Sequence, residues 1–170
     1  MLKRLLVKIF GEKKPIELPF LCPTCNSRQA AYLPLPDLYR ENAHKYGYAH
    51  FGKGEMTALK TYSCANCGAS DRERLYTLWI EQQIQKGFFS KSSRVIHFAP
   101  EAVLSARLKS LNCFDYKTAD LIMEHVDYKV DLLSMPFDDA SFDFFICSHV
   151  LEHVESDDKA ILELYRITKQ

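Results

Sequence analysis

Two cysteine pairs, Cys22-Pro23-Thr24-Cys25 and Cys64-Ala65-Asn66-Cys67-Gly68, constrain this chain more than any other feature. Two residues between cysteines make a turn tight enough to aim both thiolates at one point, and two such turns complete a closed tetrahedral sulfur site. Gly68 supplies the backbone freedom such a turn often needs. Four thiolates with no open position make a structural centre. Zinc holding the fold is therefore expected on Cys22, Cys25, Cys64 and Cys67, with no chemistry at the metal. A redox-active pair needs one such motif beside a strand-helix unit, and a disulfide framework belongs with secretion; neither suits two pairs in a loop-rich stretch. The insert between the pairs carries Tyr32, Pro34, Pro36, Tyr39, Tyr46, Tyr48 and Phe51 with Gly47, Gly52 and Gly54. It has no clear period and reads as strands and loops, and its His44 and His50 are not assigned to the metal.

The chain is long enough, at 170 residues with 47% apolar composition, to bury a core beside such a small module. Charge balances at 22 Lys+Arg against 22 Asp+Glu, but unevenly: residues 1–60 hold 10 basic and 5 acidic residues, and residues 61–170 hold 12 and 17. Without a long Lys/Arg run this surplus does not argue for nucleic acid. The opening Met1-Leu2-Lys3-Arg4-Leu5-Leu6-Val7-Lys8-Ile9-Phe10 is too short and too interrupted for a membrane span or a secretory core, so a cytoplasmic protein is expected. Leu2, Leu5, Leu6 and Ile9 share one face of a helix ringed by Lys and Arg. That pattern suits peripheral contact with an anionic surface or membrane through residues 1–14, or a docked terminal helix.

A connecting helix is expected over residues 71–93, because Ser70-Asp71-Arg72-Glu73 is a capping box and Leu75, Tyr76, Leu78, Trp79, Ile80 and Ile84 recur at helical intervals up to Gly87. Beyond it strands alternate with helices. Arg94–Phe98, Asp115–Asp120, Tyr128–Asp131 and Phe142–Cys147 read as strands, and Ala102–Leu111 and Asp157–Thr168 as helices. Such alternation implies a parallel α/β sheet whose ligands gather at the carboxyl ends of its strands. Ala99, Pro100 and Glu101 follow the first of these strands. Asp120 ends the second, at the interval of ~20 residues where a ribose-binding carboxylate sits, though a plain strand-end polar residue would look the same.

The runs Val95-Ile96-His97-Phe98-Ala99-Pro100-Glu101, Thr118-Ala119-Asp120, Asp131-Leu132-Leu133-Ser134-Met135-Pro136-Phe137-Asp138-Asp139-Ala140-Ser141-Phe142-Asp143 and Cys147-Ser148-His149-Val150-Leu151-Glu152-His153 resemble successive motifs of class I S-adenosylmethionine-dependent methyltransferases. The whole is similar to bacterial methyltransferase-domain proteins with a zinc ribbon ahead of the fold. The resemblance implies a partial Rossmann-like α/β sheet of about four parallel strands over residues 94–170, an N-terminal segment over 1–17 and a zinc ribbon with a long insert over 18–70. It further implies that His97, Ala99, Pro100 and Glu101 line the methionine end of S-adenosylmethionine, Asp120 its ribose, and Asp131 and Leu132 its adenine. Ser148 and His149 would face the incoming substrate, with His149 the candidate for taking a proton; no methyl acceptor is named. The first turn departs from the family in lacking glycines. Relatives continue past Gln170 into further strands, so a shortened domain is expected. Two functions fit: a methyltransferase, or a zinc-stapled interaction module on a catalytically silent scaffold.

Overall fold

The computed structural model describes residues 18–53 and 58–170. The amphipathic segment expected at residues 1–17, and the surface contact expected of it, lie outside them. In the front part, β1 (Phe20–Leu21) pairs antiparallel with β2 (Arg28–Gln29) around the first cysteine pair. Single bridges of Ser63 to Leu33 and Ser70 frame the second.

The insert corrects the expectation of strands and loops, because it holds α1 (Asp37–Lys45). None of its residues is buried, and its nine residues carry only Leu38, Tyr39 and Ala43 as apolar positions, too few to read as a period. Its remaining sign is charge, with Asp37 in the first turn and His44 and Lys45 in the last, as the helix dipole favours.

The next helix, α2 (Asp71–Gln85), begins as its capping box requires: Glu73 N–H donates to Ser70 Oγ at 3.2 Å, and Ser70 N–H donates to Glu73 Oε2 at 2.8 Å. It stops where Gly87 takes a left-handed φ of 74° and donates its N–H to the Ile84 carbonyl. Its first turns are fastened to the ribbon. The buried Arg74 guanidinium donates to the carbonyls of Thr61, Tyr62 and Ala69 and lies 3.9 Å from the Tyr32 ring centroid, while Thr77 Oγ1 meets Thr24 Oγ1 at 3.2 Å.

The sheet follows from β3 (Arg94–Phe98), β4 (Asp115–Asp120), β5 (Tyr128–Lys129) and β6 (Phe144–Cys147), all parallel in the order β5-β4-β3-β6. Its crossovers include α3 (Ala102–Leu111), and α4 (Asp157–Ile167) follows a short 3-10 turn at Leu151–His153. The strand expected to reach Asp131 stops at Lys129, because the Asp131 carboxylate accepts the Leu133 amide and its carbonyl the Ser134 amide, turning the chain back. The strand expected from Phe142 begins at Phe144. Asp143 Oδ2 accepts the Arg94 amide at 2.7 Å instead, and Phe142 bridges Thr168.

Both faces of the sheet are covered, as the nearly continuous apolar strands demand. Ile96, Phe98, Ala119 and Val130 pack with Leu132, Phe142, Ala160, Leu164 and Ile167 on the α4 side. Val95 and Ile146 pack with Ile80, Phe89, Leu104, Leu108 and Phe114 on the α2 and α3 side. Among the described residues β6 pairs only with β3, and Trp79 of α2 stacks on its Phe144, centroids 5.4 Å apart. No helix among the described residues is long and apolar enough to cross a membrane.

Candidate functional site

The four ribbon cysteines converge. Their sulfurs all lie within 4.8 Å of one another, with Cys22 and Cys67 at 3.9 Å and Cys25 and Cys64 at 3.8 Å. A tetrahedron with metal-sulfur spokes of ~2.3 Å has edges of about 3.8 Å, so the spacing fits one soft ion at the centre. All four thiols are free, with no disulfide among them. The two turns are built alike. Asn26 N–H donates to the Cys22 carbonyl and Gly68 N–H to the Cys64 carbonyl, and both residues are left-handed, φ 57° and 79°. Sequence reasoning saw Gly68 but missed Asn26, although Asn is the next residue after glycine to tolerate that conformation. Burial pushes the thiols of Cys22 and Cys67 up, whereas at Cys25 hydrogen bonds from Ser27 and Asn66 outweigh burial and bring the thiol down to about 6.

The second cluster of candidate residues gathers at the carboxyl ends of the parallel strands. After β3 the backbone turns at Ala99, whose φ is 47°, through the buried Pro100 to Glu101, the N-cap of α3. The left-handed region costs a residue with a Cβ about 1–2 kcal/mol, which is why glycine normally fills such a bend. Alanine is the smallest side chain that still pays this strain. His149, just past β6, is also left-handed at φ 55°. Strain at two neighbouring strand tips is characteristic of ligand sites, where surrounding packing holds the unfavourable geometry.

Ala99→Val is expected to destabilise the domain beyond the strain that Ala99 already carries, because a β-branched residue at positive φ is a genuine outlier where alanine is tolerated. Urea unfolding followed through the single tryptophan, Trp79, measures this; an unchanged midpoint would refute the strained-turn account.

Asp120 ends β4 with one carboxylate oxygen already engaged: Oδ1 accepts the amides of Ile122 and Met123 at 2.6 and 2.7 Å. Beside it Leu121, Ile122 and Met123 expose apolar side chains. Thr118 anchors the returning loop by donating from its amide and hydroxyl to Asp127, and these bonds hold the Asp127 carboxyl below its ordinary value despite partial burial. Asp131 is exposed, whereas the Leu132 side chain is packed in the core, which leaves only its backbone to face a ligand. Ser148 Oγ lies 3.2 Å from the Tyr76 hydroxyl of α2. His149 is more than half exposed and its Nδ1 lies 2.7 Å from Glu152 Oε1.

Three residues that sequence reasoning missed join these elements. Tyr76 reaches the tip of β6 from the connecting helix. Glu73 caps α2 with Oε2 and accepts the Leu104 amide of α3 with Oε1 at 3.3 Å, linking the ribbon's helix to the one after the Ala99 bend. Tyr116 stands beneath the bend, 2.8 Å from His97. The only sequence signals were helical spacing for Tyr76, the capping box for Glu73 and strand alternation for Tyr116.

Residues 97–170 match a protein-family model described as a methyltransferase domain. No curated protein matches the chain. Among solved structures, the chain is similar to a protein of Methanococcus maripaludis assigned as an S-adenosyl-L-methionine-dependent methyltransferase, at 17% identity and a TM-score of 0.45, over 55% of this chain and 50% of that one. The chain thus spans about half the length of that protein.

Proposed function

We propose that this chain, whose residues 97–170 match a methyltransferase-domain model, is a methyltransferase of the class I kind that binds S-adenosylmethionine at the tips of β3, β4 and β6, serves methyl transfer, and uses a zinc ribbon as a structural brace. The observation carrying this reading is the meeting, at one edge of the sheet, of the left-handed Ala99 bend, the Glu101 and Asp120 carboxylates and Ser148. A cationic nucleoside suits two acidic groups on adjacent strand ends.

The residues fit the cofactor as a donor set. Asp120 keeps a second oxygen for ribose hydroxyls, and the exposed Leu121, Ile122 and Met123 offer the base an apolar surface. Asp131 and the backbone at Leu132 lie on the loop after β5, suited to the adenine edge. Ala99 and Pro100 bring backbone close to the ligand with little side-chain bulk, and Glu101 presents a carboxylate to its amino group.

When bound, S-adenosylmethionine supplies a methyl group on a positively charged sulfur. The protein's task is then mainly to align an acceptor and exclude water. Ser148 and His149 flank the acceptor side, and His149, held by Glu152, is the candidate to accept a proton from a hydroxyl or amine.

For the ribbon, the spacing of the four sulfurs supports zinc on Cys22, Cys25, Cys64 and Cys67, where four thiolates would leave no position for a reacting ligand. Calorimetry with S-adenosylhomocysteine on the zinc-loaded chain tests the cofactor reading. Saturable heat at one ligand per chain is the expected result. A folded, metal-loaded sample giving none would leave the interaction-module reading standing in its place.

A further inference from the structure

The two outer strands of the parallel sheet are finished differently. At one side β5 is only two residues long and carries Lys129, whose ammonium donates to the Ile122 carbonyl. Short strands and lysine are common means of keeping a sheet edge from pairing with another chain. At the other side β6 has neither protection. Phe144-Phe145-Ile146-Cys147 holds no charge and no proline, and among the described residues it pairs with β3 alone. Thr168 and Lys169 pair beside Phe142, and no backbone hydrogen bond from the described residues continues along the outer side of β6. The amides and carbonyls that β6 turns away from β3 are therefore left without backbone partners among them.

Beside this edge lies an apolar groove of about 500 Å³, lined by Leu75, Tyr76, Trp79 and Ile80 of α2 and by β6 itself. The apolar surface continues past it. Leu75 and Trp79 also border Leu78, and the Phe88 ring centroid stands 6.4 Å from that of Phe144. Leu75, Leu78, Trp79 and Phe88 are 42–58% exposed. Half-exposed side chains of this size leave on the order of 100 Å² each in water, so two such patches with their strand edges bring together roughly 1,000 Å², enough for a specific interface.

Charge decides how a partner strand would lie. The exposed Arg94 and Lys169 stand at the start of β6, with Asp143 between them, while the exposed Glu152 and Glu155 follow its tip. An antiparallel strand of the same sequence sets the basic start of one beside the acidic tip of the other, whereas a parallel one sets like beside like. A two-fold axis perpendicular to the sheet produces that arrangement and brings the same apolar patch of both copies to one seam. We propose that this chain pairs with a second copy of itself along β6, antiparallel and centred near Phe145 and Ile146, so that one sheet runs through both copies and their α2 helices cover the junction. The pairing does not depend on methyl transfer or on the cofactor.

Sedimentation velocity on the zinc-loaded full chain at micromolar concentration should find a species of twice the chain mass. Hydrogen exchange read by mass spectrometry should show the Phe144–Cys147 amides exchanging more slowly above the dissociation constant than below it, because strand pairing protects them. Leu75→Glu puts a charge into the groove from a half-exposed position, so it should fold and weaken association roughly tenfold or more. Leu38→Glu removes a similarly exposed leucine from α1 and should leave association within about twofold. The exchange measurement needs no variant and so reports even if Leu75→Glu unsettles the fold. A chain that stays monomeric overturns the proposal, whether β6 exchanges freely or is already protected by another part of the same chain. A dimer whose β6 amides gain no protection, or that a folded Leu75→Glu leaves intact, places the interface elsewhere and overturns it too. Growth beyond two copies would do the same, since a two-fold pairing closes on itself.

Discussion

Cys64→Ser is expected to lower bound zinc from one ion per chain to well below one and to unfold the ribbon while the parallel sheet persists. The first part follows from the ligand set. Cys64 is 1% exposed and its sulfur is 3.8 Å from that of Cys25, so no water or side chain can replace the lost thiolate without opening the cluster. The second follows from how little else holds the front together. Its strands are two residues long, and its buried cluster is Cys22, Cys64 and Ala69, two of them ligands. A module of that size needs a metal or disulfides to outweigh chain entropy, and structural zinc supplies about 10–16 kcal/mol in comparable small folds. Elemental analysis and a two-step thermal melt check the two parts together. A variant that retains one zinc and melts as wild type would remove the ribbon assignment.

The loss should not stop at the metal. Arg74 donates to three carbonyls, of Thr61, Tyr62 and Ala69, that stand in line only while the ribbon is folded, and Thr77 meets Thr24 of the first cysteine turn. Val103, in the first turn of α3, packs against the cysteine cluster itself. Unfolding the front therefore uncovers the start of both α2 and α3, and α3 begins directly after the Ala99 bend. The ribbon braces the wall of the candidate site as well as its own loops.

The sequence made this arrangement partly readable, and the reasons differ by element. β3 and α3 matched their expected bounds because apolar strand, turn and helical spacing all change at the same residues. The ends of β5 and β6 shifted because Asp131 and Asp143 spend their carboxylates on backbone amides, a local choice that hydrophobic period does not register. α1 was invisible because nine residues with Leu38, Tyr39 and Ala43 as their apolar positions are too short a run to establish a period. His97 was legible as a member of a motif, but its partner was not. Tyr116 meets it only through the register that sets Val95 opposite Tyr116, a relation between strands distant in sequence.

Asp120→Ala should raise the dissociation constant for S-adenosylhomocysteine by about a hundredfold or more, the loss of two charge-assisted hydrogen bonds to ribose. A second effect has to be separated from it, since Asp120 Oδ1 also accepts the Ile122 and Met123 amides and shapes the loop beside the proposed base surface. Asp120→Asn divides the two. Its amide oxygen can still accept those backbone donors, while its charge is gone and one ribose partner becomes a donor. If recognition of ribose is the main role, the asparagine variant should keep wild-type unfolding in urea and still bind at least tenfold more weakly. If loop shape is the main role, asparagine should restore binding and only alanine should lose it. Should alanine bind as tightly as wild type, the nucleoside does not rest on the tip of β4, and the donor set proposed for this edge of the sheet would have to be abandoned.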